Sequence, residues 1–325
     1  MLIALLLAAP PGETVAQPLP ANDLVIAPED GLTFLEEPGV RIAVDGYAIP
    51  NEADCQVFER DGDTRYRLYW TTRQYEGQNE VRWTVHTSVS ADGLHFEYEH
   101  GPHFGLTNRT DRDVLKLPDG SYRAYTLIGG GDPWYCVDSY IGDGLKWAHE
   151  PGKRITFGDE YDATASRAPE AVLLEDGTIR VYYIGWSGPE GPYVEGPGPD
   201  DRWRILSATS DDGLDFTKDA GIRVDVSPDG EPSHGAVAMA KPQLVELTGG
   251  GWRMYYGAAA DSGTHMFSAT SPDGLAWTRE AGIRIVDADG QPVYAKYPSL
   301  VRTADGRLRM YYDGAGGIRS AVTTP

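Results

Sequence analysis

Asp54, Asp113 and Glu170 stand at matching places in three copies of one repeated unit, and Gln243 and Ser299 hold that place in the other two. The match comes from counting back ten residues from the arginine of a strand that recurs in each copy. That strand reads SYRAY at Ser121–Tyr125, TIRVYY at Thr178–Tyr183, GWRMYY at Gly251–Tyr256 and RLRMYY at Arg307–Tyr312. In the first copy, RYRLYW at Arg65–Trp70, the turn is longer and the counterpart is Asp54. Three like charges brought together away from water raise the pKa of at least one of them, which is how a carboxyl keeps its proton near neutral pH. A fold gains no stability from such a cluster, so acid–base chemistry or cation binding is the reading it favours. The bland alternative is that the acids pair with Arg112, Arg167, Lys241 or Lys296.

The repeat supplies the elements that must position these acids. A thirteen-residue block runs from Asp273 to Ile285, DGLAWTREAGIRI, and recurs at Asp30–Ile42, Asp92–Phe104, Asp143–Ile155 and Asp212–Val224. Asp-Gly suits a tight turn, because Gly takes positive φ without a Cβ clash, and the following residues alternate as an outer strand. A short apolar strand precedes each RxYY strand, and a further strand such as Arg204–Ser210 or His265–Ser271 leads into the next block. The unit is therefore four antiparallel strands. Self-similarity at this spacing predicts an all-β, five-bladed β-propeller. The last blade is split, so Leu32–Ile42 is expected to supply the outer strand of the blade built by Pro298–Pro325. Residues 21–325 form one domain in this reading. The longest interruption, Trp186–Trp203, is rich in Gly and Pro and reads either as a tolerated surface insertion or as a wall of a binding cleft at the channel mouth.

Composition narrows the partners. The chain has 325 residues, 49 acidic and 28 basic, for a net charge of −21. Such a surface repels phosphate backbones and anionic lipid, which argues against nucleic acid and membrane insertion. The apolar start, MLIALLLAAPPGETVAQ, is too short to span a membrane and fits a secretory signal, so residues 1–20 are set apart as a leader and the protein is expected to be secreted or periplasmic. Cys55 and Cys136 either bond or stay buried as free thiols.

The order Asp, Asp, Glu at the innermost strands of the first three blades resembles the five-bladed propeller glycoside hydrolases of families 43 and 32. Asn51-Glu52-Ala53-Asp54 stands where they carry the first Asp, Arg112-Asp113-Val114 is similar to the Arg-Asp-Pro of family 32, and Pro169-Glu170 stands where the acid Glu is carried. The Asp-Pro-Asn-Gly segment of family 32 is absent. The resemblance implies a hydrolase of a neutral, furanose-type oligo- or polysaccharide. It makes Glu170 the general acid, Asp54 the base or nucleophile, and Asp113 a group that binds hydroxyls and holds up the pKa of Glu170. Arg112, Trp134, Trp186, Gln243 and Tyr297 are the expected substrate contacts. Tyr75, Tyr135, Tyr193 and Trp203 are further aromatics for the same face. No cofactor is required by this reading and no metal ligand is assigned. A structural Ca²⁺ in the channel is compatible with it, and His234 and His265 are the residues to watch for a metal. A monomer is expected. Two alternatives share the shape: a carbohydrate-binding propeller without catalysis, and a glycoside phosphorylase, which needs a basic cluster for phosphate.

Overall fold

The computed structural model describes residues 24–43, 49–60, 62–76, 80–101, 109–128, 135–187, 203–225, 239–260 and 263–324. The expected leader, Trp134, Tyr193 and His234 lie outside the described residues, as does most of the Trp186–Trp203 segment. The described residues form an all-β, five-bladed propeller of antiparallel four-stranded blades, as expected. The innermost strands are Ile49–Arg60, Arg109–Lys116, Ala165–Leu173, Met239–Leu247 and Lys296–Arg302. The last blade closes as the repeat requires. Phe34–Glu36 pairs antiparallel with Ala321–Thr323, and Ile42–Ala43 pairs with Gly317–Ile318. Two short strands were not foreseen. Val25–Ile26 runs parallel to Glu246–Leu247 on the channel side of blade four, and Ile285–Val286 runs parallel to Phe34–Leu35. Both cysteines are buried and free.

The repeated residues join neighbouring blades. The RxYY tyrosine of each blade donates its hydroxyl to the Asp-Gly turn of the next: Tyr125 to Gly213 O at 2.9 Å, Tyr182 to Gly274 O at 2.8 Å, Tyr255 to Gly31 O at 3.0 Å and Tyr311 to Gly93 O at 2.7 Å. Tyr69 and Gly144 complete the ring. The turn glycine is required there. At Gly213, where φ is +73°, a Cβ would lie 2.7 Å from the Tyr125 hydroxyl. The arginine of the closing Gly-x-Arg segment reaches the same turn one residue on, as in Arg154 to Leu214 O at 2.8 Å and Arg284 to Leu32 O at 3.0 Å.

Apolar packing fills the gaps between blades. One buried cluster joins blades four and five through Phe34, Tyr255, Met266, Ile285, Leu300 and Met310. Phe34 is fully buried and meets the Tyr255 ring edge-on at 5.8 Å. Truncating a buried Phe costs about 3–5 kcal/mol through lost transfer energy and the cavity left behind. Phe34→Ala is therefore expected to destabilise the protein by about that amount in urea unfolding, in a single transition, because the outer strand it belongs to closes the ring. A separate early transition confined to the last blade would refute that coupling.

Candidate functional site

The innermost strands converge on the hub, and each carries a β-bulge near its start, between Asn51 and Asp54, Thr110 and Arg112, Arg167 and Glu170, Met239 and Pro242, and Lys296 and Ser299. The bulges sort the hub side chains into two tiers, which sit two residues apart along each strand.

The lower tier holds the predicted acids. Each of its five members bonds to the backbone N–H of the next blade. Asp113 Oδ2 accepts from Ala171 N at 2.8 Å, Glu170 Oε1 from Leu244 N at 3.3 Å, Gln243 Oε1 from Leu300 N at 3.4 Å and Ser299 Oγ from Cys55 N at 2.8 Å. Asp54 takes the Val114 N–H. Gln243 Nε2 also donates to Glu170 Oε1 at 2.6 Å. The structure thus brings Asp54, Asp113 and Glu170 together, around the ammonium of Lys241. Lys241 Nζ lies 3.2 Å from Glu170 Oε2 and 3.5 Å from Asp113 Oδ1. Burial pushes the Asp54 carboxyl up to about 6, against the pull of Lys241, and burial together with Asp113 holds Glu170 well above the usual carboxylate range. The three carboxylates raise Lys241 in turn, overriding its burial. Past this tier, toward the strand ends, a cavity of about 60 Å³ lies between Asp54, Asp113, Gln243, Lys116 and Leu24.

The upper tier, nearer the strand starts, was not singled out by the repeat. Its positions are Glu52, Asp111, Ala168, Lys241 and Tyr297. Glu52, Asp111, Ala168 and Tyr297 have φ of 54°, 44°, 52° and 54°. Non-glycine residues held there carry backbone strain, which concentrates at functional sites. Asp111 is fully buried and its Oδ2 is ion-paired with Arg167, at 2.7 Å to Nη2. Asp111 N donates to Glu52 Oε2 at 2.7 Å, and Glu52 N donates to Asp313 Oδ1 at 2.8 Å. Tyr297 OH lies 3.5 Å from Arg167 Nη2, and Lys296 sits 5.2 Å from the Tyr297 ring centre. Burial lifts the Tyr297 hydroxyl well above its usual range. Asp313 joins from the second strand of blade five, where burial pushes its carboxyl up to about 7 and Lys296 pulls the other way.

The remaining expected contacts divide. Arg112 is 2% exposed and its guanidinium is used within the protein, on Glu52 O at 2.8 Å and Thr71 Oγ1 at 2.5 Å. Gln243 is a seam residue of the lower tier, and Tyr297 belongs to the upper tier. Trp186 is buried against Trp203, with ring centres 5.8 Å apart, and Arg167 lies over Trp203 at 5.2 Å. His265 is buried and its Nδ1 is held by Val293 O at 2.7 Å. Among the described residues no group of three His, Cys, Asp or Glu side chains is placed to hold a metal ion. The signals that mark the missed residues were short: an acid two places before the counted one in Glu52-Ala53-Asp54 and Asp111-Arg112-Asp113, and a lone acid in the apolar run Met310-Tyr311-Tyr312-Asp313.

No known protein-family description matches the chain, and no curated protein does. Solved structures do match in shape. A glycosyl hydrolase from Bacteroides ovatus aligns at TM-score 0.62 and 13% identity over 90% of this chain and 93% of that one. A structure reported under the GH130 family of mannoside phosphorylases, which contains glycoside hydrolases that target β-1,2 mannosidic linkages in Candida mannan, aligns at TM-score 0.61 and 14% identity over 93% and 97%. The endo-arabinase from Bacteroides thetaiotaomicron aligns at TM-score 0.56 and 13% identity over 88% and 97%. The chain has the fold of the glycoside hydrolase propellers along almost its whole length.

The lower tier makes a stability prediction. Removing the ammonium from among buried carboxylates leaves them uncompensated, at a cost of about 3–5 kcal/mol. Lys241→Met should show that loss in chemical denaturation at pH 8 and a smaller one at pH 5, where the carboxyls take up protons. An equal loss at both would mean that the lysine only fills space. The sign for Asp54 follows from its raised folded-state pKa. Its contribution is fully present below the unfolded value near 4 and is lost as pH rises through about 6. Asp54→Asn should flatten the pH dependence of stability in that window.

Proposed function

We propose that the chain is an exported glycoside hydrolase acting on a neutral oligo- or polysaccharide, with its reacting groups in the upper tier of the hub. The observation that carries this reading is the pair of buried acids, Glu52 and Asp111, held in strained conformations and bonded to each other. Glycoside hydrolysis needs an ionised carboxylate on one side of the scissile bond and a proton donor on the other. Asp111, ion-paired with Arg167, is the carboxylate in this scheme, and Glu52 positions it through the Asp111 N–H. In this reading the carboxylate roles that the resemblance gives to Asp54 and Asp113 move two residues up the strands, to Glu52 and Asp111, while Glu170 has Ala168 at the matching place; Asp54, Asp113 and Glu170 each accept a backbone N–H across a blade seam. Beneath the reacting groups they act as scaffold. The net charge of −21 favours a neutral substrate over an anionic one.

Charge also separates hydrolysis from phosphorolysis. A bound phosphate needs cations that are not already neutralised. Among the described hub residues, Arg167 faces Asp111, Lys241 faces Asp113 and Glu170, and Lys296 faces Asp313. Water is the better matched acceptor.

The test is a panel of neutral plant, fungal and bacterial polysaccharides, with arabinan and β-1,2-linked mannosides included, and products followed by NMR. On a cleaved substrate, Asp111→Asn should lower kcat by about 10²–10⁴-fold, the usual weight of an acid–base group, with little change in melting temperature. Glu170→Gln should lower the melting temperature more than it lowers kcat. Turnover abolished by Glu170→Gln in a fully folded protein, and kept by Asp111→Asn, would return the chemistry to the lower tier. Saccharide binding without any cleavage would make the protein a carbohydrate-binding propeller.

A further inference from the structure

Away from the hub, the outer half of blade one departs from the repeat. Its second, third and outer strands are Asp63–Glu76, Glu80–Ser90 and Glu97–His100. Trp70 pairs with His86, and Tyr98 pairs with Ser88 two residues further along the same face. The register then slips, so that Thr87 pairs with His100. This bulge turns Gly101, in place of His100, to the His86 side. Every blade has a counterpart of the His86–Tyr98 pair. In blade two it is Asp138 and His149, bonded at 2.8 Å, and in blade five it is Arg319 and Glu36, bonded at 2.7 Å. Blades three and four carry buried Leu206 and Phe267 at the third-strand place. In blade one the pair is polar and does not close. The two rings stand 5.9 Å apart, and His86 Nδ1 is buried without a hydrogen-bond partner in the protein. A buried polar atom left open is costly, and functional demand is a common reason for keeping one.

The neighbours of His86 hold that nitrogen in place. The imidazole stacks on Trp70, with ring centres 4.6 Å apart and planes 28° from parallel. Trp70 is itself anchored, its Nε1 donating to Ser88 Oγ at 3.0 Å. The Thr72 hydroxyl donates to Thr84 O at 3.4 Å and accepts the His86 Nε2–H at 2.9 Å. The ring proton is thereby used at Nε2, and Nδ1 is left as a bare acceptor. Burial, with the Arg112 charge adding to it, holds the imidazole below its ordinary pKa, so it is neutral near pH 7. Gly101 supplies the room in front of it. A Cβ there would lie 2.7 Å from His86 Nδ1, 2.9 Å from the Tyr98 hydroxyl and 3.3 Å from Val85 O. The absent side chain leaves a notch edged by these polar atoms, and beside it the Tyr98 ring is 62% exposed.

We propose that Tyr98, His86 and Gly101 form a second saccharide-binding site, on the outer strands of blade one and separate from the hub. A sugar has an apolar C–H side and a rim of hydroxyls. The exposed Tyr98 ring matches the first, and the notch matches the second: a hydroxyl donates to His86 Nδ1, while the Tyr98 hydroxyl meets its neighbour. The ligand is neutral. Glu97 and Glu99 flank Tyr98 on its strand, Arg67 is already paired with Glu99, and the chain carries a net charge of −21, so an anionic sugar meets repulsion. The inference shares with the hydrolase reading only the class of ligand. It assigns no step of the reaction to this site.

The experiment measures binding without turnover. Affinity electrophoresis in gels containing arabinan, xylan, yeast mannan or polygalacturonate compares wild type with Tyr98→Ala, His86→Phe and Gly101→Ala. His86→Phe keeps a ring on Trp70 and removes the acceptor, and Gly101→Ala fills the notch. The expected result is retardation of wild type by at least one neutral polysaccharide, with affinity lowered about tenfold in each variant, the weight of one aromatic contact or one hydrogen bond. Melting temperatures close to wild type check the fold, and Tyr98→Ala, at an exposed side chain, serves if the others are destabilised. NMR of the His86 imidazole supplies a second measurement: its Nδ1 signal should shift on addition of the retarding saccharide. Retardation that survives in Tyr98→Ala and His86→Phe, a His86 signal that does not move, a preference for polygalacturonate, or no retardation of wild type by any of the four would each overturn the assignment. Binding that depends on Tyr98 and His86 in a protein that cleaves nothing would keep this site and remove the hydrolase reading. Cleavage without such binding would do the reverse.

Discussion

The constraint on which this molecule depends is closure. A ring of five blades has five seams, and each seam buries backbone N–H groups that no strand within a blade can satisfy. A buried donor without a partner costs on the order of 1–3 kcal/mol, so each seam needs an acceptor. The chain meets this at the hub, where Asp54, Asp113, Glu170, Gln243 and Ser299 each accept from the next blade, and farther out five tyrosines donate to the carbonyls of the turn glycines of the next blade. Both rings run in the same direction and both pass through the seam between the last blade and the first.

That constraint changes what an acid at the hub means. Carboxylates, an amide and a hydroxyl serve the same seam at equivalent positions, so what the seam demands is an acceptor. Three of the five being acidic creates an electrostatic problem, and Lys241 answers it from within the channel. The group is therefore a buried salt-bridge cluster whose hydrogen bonds are structural and whose net charge is relieved by raised carboxyl pKa values. Two residues upstream the seams are bridged again, by Glu52 to the Asp111 N–H and by Asp111 to Arg167, and there the backbone strain collects.

Much of the architecture was legible because the repeat is written in residues with single mechanical uses. Asp-Gly fixes a turn, the tyrosine two places after an arginine reaches the neighbouring turn, and five copies with one split between the termini give a closed ring. The hub was legible only in part. Counting by the repeat located the strand starts, and Asp54, Asp113 and Glu170 do meet there. It could not register the β-bulge, which adds a residue to each innermost strand and separates the seam position from the mouth position. Glu52 and Asp111 lie two residues before the counted acids Asp54 and Asp113. Asp313 was out of reach by the same method, since it comes from a second strand whose counterparts are Leu127, Ile184 and Gly257, and its place at the hub is a matter of how blade five leans on blade one.

That lean ties the split blade to the upper tier of the hub. The bond from Glu52 N to Asp313 Oδ1 crosses the closing seam, beside the bonds from Cys55 N to Ser299 and from Tyr311 to Gly93. Asp313 pairs with Ile318 in the hairpin whose far strand, Gly317–Thr323, is covered by Phe34–Glu36 and Ile42–Ala43. The segment near the start of the described chain therefore holds the hairpin that carries Asp313, and Asp313 holds Glu52, which holds Asp111. Because the bond from Glu52 to Asp313 crosses the seam between the last blade and the first, the upper tier is complete only in a propeller that has closed.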